Sequence, residues 1–373
     1  MKQIILIFSL LIIINKNTFA QCDGRYQSEI FTNTNKVTVN YSDVYLDTYH
    51  EMDIYTPVGD SETNRPVIIF IHGGSYIGGS KSEIDCIDFC EAFAKKGYVT
   101  ASVNYRLATD PISFVLSQEE QYLTVLKSVA DVKAAIRYFR KDFSNGNNYN
   151  IDPNTIFVGG SSAGAVTAIH LGYIDLVTDL PTTSSPNGTS VQDLVNNMGG
   201  LDGDAGNNGF SSDVSGVISF AGGINNPSWI DTQDEPLISV QGTSDQTISF
   251  NCAPGLGYPT VLDLCGSNEM HNQANNVNIL NDLLVFQGAD HDWFQSGNND
   301  PRFIQAIDFT TSFLYPLLPC NQSTNITDVN KIENNMLEII DINGRRVSKM
   351  QPNNAYIHIY ESGKAKKRII IKE

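Results

Sequence analysis

Apolar positions follow two periods along this chain. Residues 36–47 (Val37, Val39, Tyr41) and 50–58 (Met52, Ile54) alternate apolar with polar, which predicts an antiparallel hairpin at a sheet edge. Residues 66–72, PVIIFIH, are continuously apolar, as expected of a strand covered on both faces. Residues 86–96 read as a helix stopped by Gly97, and 98–107 as the next strand. Residues 117–141 form a long amphipathic pattern, with Ala130, Val132, Ala134, Ala135, Ile136 and Phe139 facing inward. Further strands are expected at 155–158, 214–221, 236–241 and 278–286, and a closing helix at 303–318. Strands alternating with helices argue for an α/β fold with a mostly parallel sheet and helices on both faces. Residues 175–212 are rich in Asn, Gly, Ser and Thr and are expected as an insertion acting as a lid. Residues 321–330 read as a polar linker. Residues 331–373 alternate again around an Asn343–Gly344 turn, predicting a small all-β segment.

The first twenty residues change the picture of where the protein works. Lys2 precedes an apolar run from Ile4 to Ile14, broken only by Ser9, and Thr18-Phe19-Ala20 supplies small residues for cleavage. This is the pattern of an export signal over 1–20, too short to span a bilayer comfortably. Export makes the six cysteines readable as disulfide partners. Cys252 and Cys265 bracket a Pro/Gly-rich loop and are expected to pair. Cys86 and Cys90, one helical turn apart, are expected to pair with the distant Cys22 and Cys320. Their spacing matches no common zinc motif.

The net charge of −17 disfavours nucleic acid and anionic lipid as partners. Residues 325–373 carry nine Lys/Arg against six Asp/Glu, a net of +3, so the remainder carries −20. That shift marks a domain boundary. Residues 21–320 are therefore read as one domain and 331–373 as another.

Chemistry concentrates at residues 155–170, TIFVGGSSAGAVTAIH. An apolar strand turns sharply into a small-residue helix, and Gly160-Ser161-Ser162-Ala163-Gly164 fits G-x-S-x-G, the nucleophile elbow. The residues two before and two after Ser162 must be small, because strand end and helix start nearly touch. Three further constellations fall at strand ends, where sites form in such sheets. His72-Gly73-Gly74-Ser75 can bring backbone N–H groups close to a developing oxyanion. Gly242-Thr243-Ser244-Asp245 offers a carboxylate to orient an imidazole. Gly288-Ala289-Asp290-His291 offers the base. Asp290 and Asp292 are rival acids, but adjacent residues rarely have the reach to hold a neighbour's ring. Asp202-Gly203-Asp204-Ala205-Gly206-Asn207-Asn208 has spaced oxygens that calcium would accept, without a closing bidentate Glu, so it reads as a polar loop. Tyr76, Trp229 and Trp293 fall near strand ends and are candidates to line a substrate pocket.

Residues 37–318 resemble the α/β-hydrolase carboxylesterases of the hormone-sensitive-lipase-like and feruloyl-esterase-like kind. The resemblance implies Ser162 as nucleophile, His291 as base and Asp245 as acid. It implies an oxyanion hole from the N–H groups of Gly73 or Gly74 with Ala163. Two departures stand out: Ser75 replaces the third glycine of HGGG, and Ser161 stands where many relatives carry Asp or Glu. The resemblance implies an acyl-enzyme mechanism on short-chain or aromatic esters, feruloyl, acetyl or polyester-like, free or polymer-linked. No metal or organic cofactor is called for. The rivals are a serine peptidase on this fold, disfavoured by the HGG loop, and a non-catalytic adhesion module. Residues 337–345 and 366–372 resemble the C-terminal sorting domain of type IX secretion in Bacteroidetes, which implies export machinery as a partner and a secreted or surface location.

Overall fold

The alternating and continuous apolar segments assemble into one eight-stranded sheet. The computed structural model describes residues 22, 24–184 and 188–321, together with three strands nearer the C-terminus. In chain order the elements are β1 (Thr34–Asn40), β2 (Glu51–Pro57), β3 (Arg65–Ile71), α1 (Ile84–Lys95), β4 (Val99–Val103), α2 (Pro111–Leu116), α3 (Gln118–Ser144), β5 (Ile151–Ser161) and α4 (Ala163–Tyr173). There follow α5 (Val191–Asn197), β6 (Val217–Phe220), β7 (Leu237–Gly242), β8 (Cys252–Pro254), β9 (Asp263–Cys265), α6 (Ser267–Val277), β10 (Asn281–Phe286) and α7 (Pro301–Leu314). The sheet order is β1-β2-β4-β3-β5-β6-β7-β10. Pairings β1–β2 and β2–β4 are antiparallel and the rest are parallel. The edge hairpin expected from residues 36–58 is β1–β2.

Both faces of the sheet are covered, and β3 shows why its sequence is continuously apolar. Val67, Ile69 and Ile71 enter one core, against α3, α4 and α6. Ile68 and Phe70 enter the other, against α1 and α7. Strand alternation sends successive side chains to opposite faces, so a doubly covered strand needs apolar residues at every position. Phe70 stacks on Phe89 of α1 at 3.9 Å between centroids. Helix α6 has no strong apolar period in the sequence. Its residues SNEMHNQANNV are mostly polar, and Met270 and Ala274, one turn apart, are its apolar anchors. It is the crossover that parallel strands β7 and β10 require.

Two disulfides form, Cys252–Cys265 and Cys22–Cys320. The first closes the β8–β9 hairpin, as expected. The second corrects the expectation for the other four cysteines: Cys22 and Cys320 bond to each other, while Cys86 and Cys90 are free thiols. Both free cysteines sit on the inward face of α1, fully buried in the second core, and act there as small apolar side chains. Burial raises both thiol pKa values.

The described part of 175–212 is fastened down. Asn207 donates to the carbonyls of Tyr41 and Ala134, and Ser42 donates to Ala205 O. Among the described residues no helix is long and apolar enough to cross a membrane. The expected export signal at 1–20 and the linker beyond Asn321 lie outside the described residues. Three antiparallel strands, β11 (Met336–Asp341), β12 (Ala355–Tyr360) and β13 (Ala365–Ile369), form a separate small sheet within a second unit of the chain. The Asn343–Gly344 turn between them lies outside the described residues.

Candidate active site

Strand β5 ends at Ser161 and α4 begins at Ala163, leaving Ser162 alone at the corner with φ 51° and ψ −121°. This left-handed backbone is costly for a non-glycine residue. It is held by the N–H of Ser162 donating to Phe220 O of β6 at 2.8 Å. The flanking glycines are sterically required. A Cβ on Gly164 would stand 2.0 Å from Ile71 O, and one on Gly160 2.5 Å from the same oxygen.

The three residues expected at separate strand ends converge. His291 Nε2 lies 2.8 Å from Ser162 Oγ, and His291 Nδ1 lies 2.8 Å from Asp245 Oδ2. A carboxylate only accepts hydrogen bonds, so Nδ1 carries the proton and Nε2 is left to accept from the serine hydroxyl. The register of β10 with β7 pairs Phe286 with Gly242 and so brings the loops bearing His291 and Asp245 side by side. Asp245 is held in turn. Its Oδ1 accepts from the N–H groups of Thr247 and Ile248, each at 2.9 Å. Gln241 anchors the same loop by donating to Ile248 O and accepting from Ser267 N. Sequence reasoning missed Gln241, because a buried amide in a strand carries no motif. Neither Asp290 nor Asp292 bonds to His291; Asp292 accepts from Gln295 instead.

Residues 72–79 cross directly over the elbow. The ideal Cβ position of Gly73 is 3.2 Å from Ser162 Cβ. Gly74 has φ +114°, open to glycine, and Ser75 and Tyr76 follow at φ +54° and +62°. Among the described residues, no backbone hydrogen bond uses the N–H of Gly73, Gly74 or Ala163. Ala163 is the first residue of α4, where N–H groups lack intrahelical partners and the helix dipole is positive. His72 is structural. Burial pushes its pKa down to about 4, its Nδ1–H donates to Gly73 O, and its ring stacks on Tyr105.

Beside Ser162, the hydroxyl of Ser161 donates to Asp85 Oδ2 at 2.5 Å. Asp85 lies in the first turn of α1, and burial raises its pKa to about 6, against the opposing hydrogen bond from Ser161. A carboxylate is therefore present near the elbow, delivered from another helix. Its only sequence signal was an Asp at a helix start.

The pocket candidates divide. Tyr76 and Trp229 line a large apolar cavity. Trp293 does not, and its expected pocket role is corrected. It follows His291 in the turn His291–Phe294, points into the second core, and packs against Phe220, Phe286 and Phe294. The oxygens of 202–208 face protein partners: Asp204 is held by Arg106 and Tyr45, and Asn207 Oδ1 by Lys141. Among the described residues no group of three or more His, Cys, Asp or Glu side chains converges as a metal site would.

The family model BD-FAE matches residues 52–256, more than half of the chain. The chain belongs to the BD-FAE family. This is an α/β-hydrolase esterase family, and the match runs from β2 through the elbow and the Asp245 loop. Gut esterase 1 of Caenorhabditis elegans is 33% identical over 28% of this chain and 18% of its own length. The medium-chain fatty acyl-CoA hydrolase precursor of Anas platyrhynchos is 28% identical over 46% of this chain and 29% of its own. The matched stretches thus span less than a third of these relatives. Among solved structures, a thermophilic esterase of Thermogutta terrifontis with propionate bound superposes with TM-score 0.53 at 20% identity, covering 75% of this chain and 93% of that one. A truncated carbohydrate esterase from gut microbiota superposes with TM-score 0.54 at 20% identity, covering 78% and 97%. These neighbours share the α/β-hydrolase fold with this BD-FAE protein.

Proposed function

We propose that this BD-FAE protein is an exported serine carboxylesterase. The observation that carries the reading is the unbroken relay from Ser162 through His291 to Asp245 at two 2.8 Å contacts. Ser162 Oγ attacks the ester carbonyl as His291 Nε2 takes its proton, and Asp245 stabilises the resulting imidazolium. The N–H groups of Ala163 and of Gly73 or Gly74 stabilise the tetrahedral oxyanion. Collapse returns the proton from His291 to the leaving alkoxide and leaves an acyl-Ser162 ester. Water, deprotonated by His291, then releases the acid. The substrates are carboxylic esters, free or polymer-linked. The cavity on the His291 side has a mixed wall, with Glu83, Asp85, Asp292 and Gln295 as its polar part, which suits a hydroxyl-bearing alcohol.

Two disulfides fit an oxidising compartment. Residues 1–20 serve as the export signal, 21–320 as the catalytic domain with an insertion at 175–212, and 331–373 as a sorting segment resembling that of type IX secretion. The antiparallel sheet β11–β13 supports the last assignment.

The test is fluorophosphonate labelling together with hydrolysis of p-nitrophenyl butanoate by wild type and Ser162→Ala. Labelling lost in the variant, with kcat down by about 10⁴-fold or more, is the expected result. A folded wild-type protein that neither labels nor turns over the ester would overturn the reading in favour of an adhesion module. Labelled protein that cleaves peptides and no ester would favour a peptidase.

A further inference from the structure

Two cavities meet at Ser162, and their chemistry differs. One contains His291. The other lacks His291 and is lined by Ser162, Ala163, Ile248 and Leu256. A leaving alkoxide must lie within reach of His291 Nε2 to be protonated. The alcohol half of an ester therefore belongs in the first cavity and the acyl half in the second.

The acyl-side cavity continues inward. Tyr76, Phe114, Val166, Val261 and Leu264 line it and also line a larger space behind it. That space leaves about 100 Å3 of room for the centres of entering atoms. Leu126, Val129, Leu180, Val195 and Met198 wall its far end. Several polar groups in its wall have partners elsewhere. His170 Nδ1–H donates to Val166 O and Nε2 accepts from Asn225 N. Trp229 Nε1 donates to Asp179 O, and Lys133 Nζ donates to Leu201 O. The Tyr76 hydroxyl is bonded to Thr167 Oγ1. Burial pushes the His170 pKa down to about 4, so its ring is neutral. The wall thus offers an entering group apolar surface and little else.

The neck between the two spaces is built. The buried Gln121 donates to Phe114 O at 2.8 Å and to Thr260 O at 3.2 Å, and accepts from Leu262 N at 2.9 Å. It ties α2 and α3 to the loop of the β8–β9 hairpin, which Cys252–Cys265 closes at its base.

Resting on the esterase reading above, we propose that this inner cavity is an acyl-chain subsite. The preferred substrates carry an unbranched apolar acyl chain longer than butanoyl, threaded past Tyr76 and Phe114. The chain displaces no hydrogen-bonded partner and buries its methylenes against the α3 and α5 side chains. Remote binding of this kind is realised in the transition state as well as the ground state, so it raises kcat/KM.

The test compares kcat/KM for p-nitrophenyl acetate, butanoate and octanoate in wild type, Leu126→Trp and Met198→Trp. Each fully buried methylene is worth about fourfold, so the four extra methylenes of octanoate are worth up to about 250-fold, and an advantage over butanoate of at least about tenfold is expected. Either Trp, filling the chamber from α3 or from the end of α5, is expected to lower the octanoate-to-butanoate ratio by about tenfold. The ratio is the readout because loss of folded enzyme lowers both substrates alike. Butanoate preferred over octanoate in wild type, or a ratio unmoved by both variants, would overturn the proposal. Absence of turnover on every ester would instead sink the esterase reading, and calorimetric titration of octanoate into wild type and Leu126→Trp then decides. Binding lost in the variant would retain an apolar-chain site, and no binding in wild type would remove it.

Discussion

At the scale of the residue, Asp245 and Asp85 show how environment assigns different work to one side-chain type. Asp245 is held by two backbone N–H groups and faces the ring of His291. Asp245→Asn keeps the shape but lets the amide donate, which favours the wrong histidine tautomer, and kcat is expected to fall by about 10⁴-fold. Steady-state hydrolysis of p-nitrophenyl butanoate checks this. Asp85 is buried against Ser161 with its pKa raised to about 6 from 3.8. A raised carboxylate binds its proton more tightly folded than unfolded. Its contribution to stability is therefore greatest at low pH and declines as pH rises from about 4 to about 6. Asp234 and Glu235, raised by burial to about 7, act in the same direction and extend the decline. Urea unfolding from pH 4 to 7.5 is expected to show a shallower decline in Asp85→Asn than in wild type. Equal slopes would mean that Asp85 titrates normally.

At the scale of the element, the long helix α3 and the edge of the sheet are joined by an ionic network. Asp131 of α3 accepts from Arg106, which also holds Asp204, and the buried His50 lies between Asp131 and Asp47. Burial lowers the His50 pKa, and hydrogen bonds to Asp131 and Asp47 outweigh it, leaving a net rise. The protonated ring thus stabilises the fold at low pH, and that contribution is lost as pH rises through the folded pKa. Arg106→Ala leaves Asp131 without its guanidinium partner, and about 3 kcal/mol of stability is expected to go with it, read by urea unfolding. Elements were legible wherever a local period was strong, as in β3, α3 and β5. Helix α6 was not legible, because its inward face is only a few residues wide. It could have been inferred from connectivity, since β7 and β10 lie parallel and adjacent.

At the scale of the whole molecule, the long-range disulfide joins Cys22 to Cys320, in the short turn that follows α7, across 298 residues. Loss of Cys22–Cys320 relaxes the largest loop in the unfolded chain, and Cys320→Ser is expected to cost about 2–5 kcal/mol. A lowered Tm with unchanged p-nitrophenyl butanoate kinetics would check it, because the bridge lies against Leu318 and Pro319, away from Ser162.

The sequence by itself determined the strand ends and what stands on them. Ser162, Asp245, His291 and the glycines at 73 and 74 are local signals, because each belongs to a tight turn after an apolar run and the turn dictates the residue types. The requirement for glycine at 160 and 164 was legible for the same reason. Tertiary structure alone decided what meets across long separations. Two cysteines expected to pair with distant partners, 86 and 90, became core residues because α1 turned them inward. Trp293 was taken by the core for the same cause, the direction of one short turn. Asp85 reached Ser161, Gln241 reached Ile248 and Ser267, and side chains from six separate stretches of the chain enclosed the inner cavity. None of these has a signature in the chain, since each is a distance between residues whose nearness only the packing of the sheet and its helices creates.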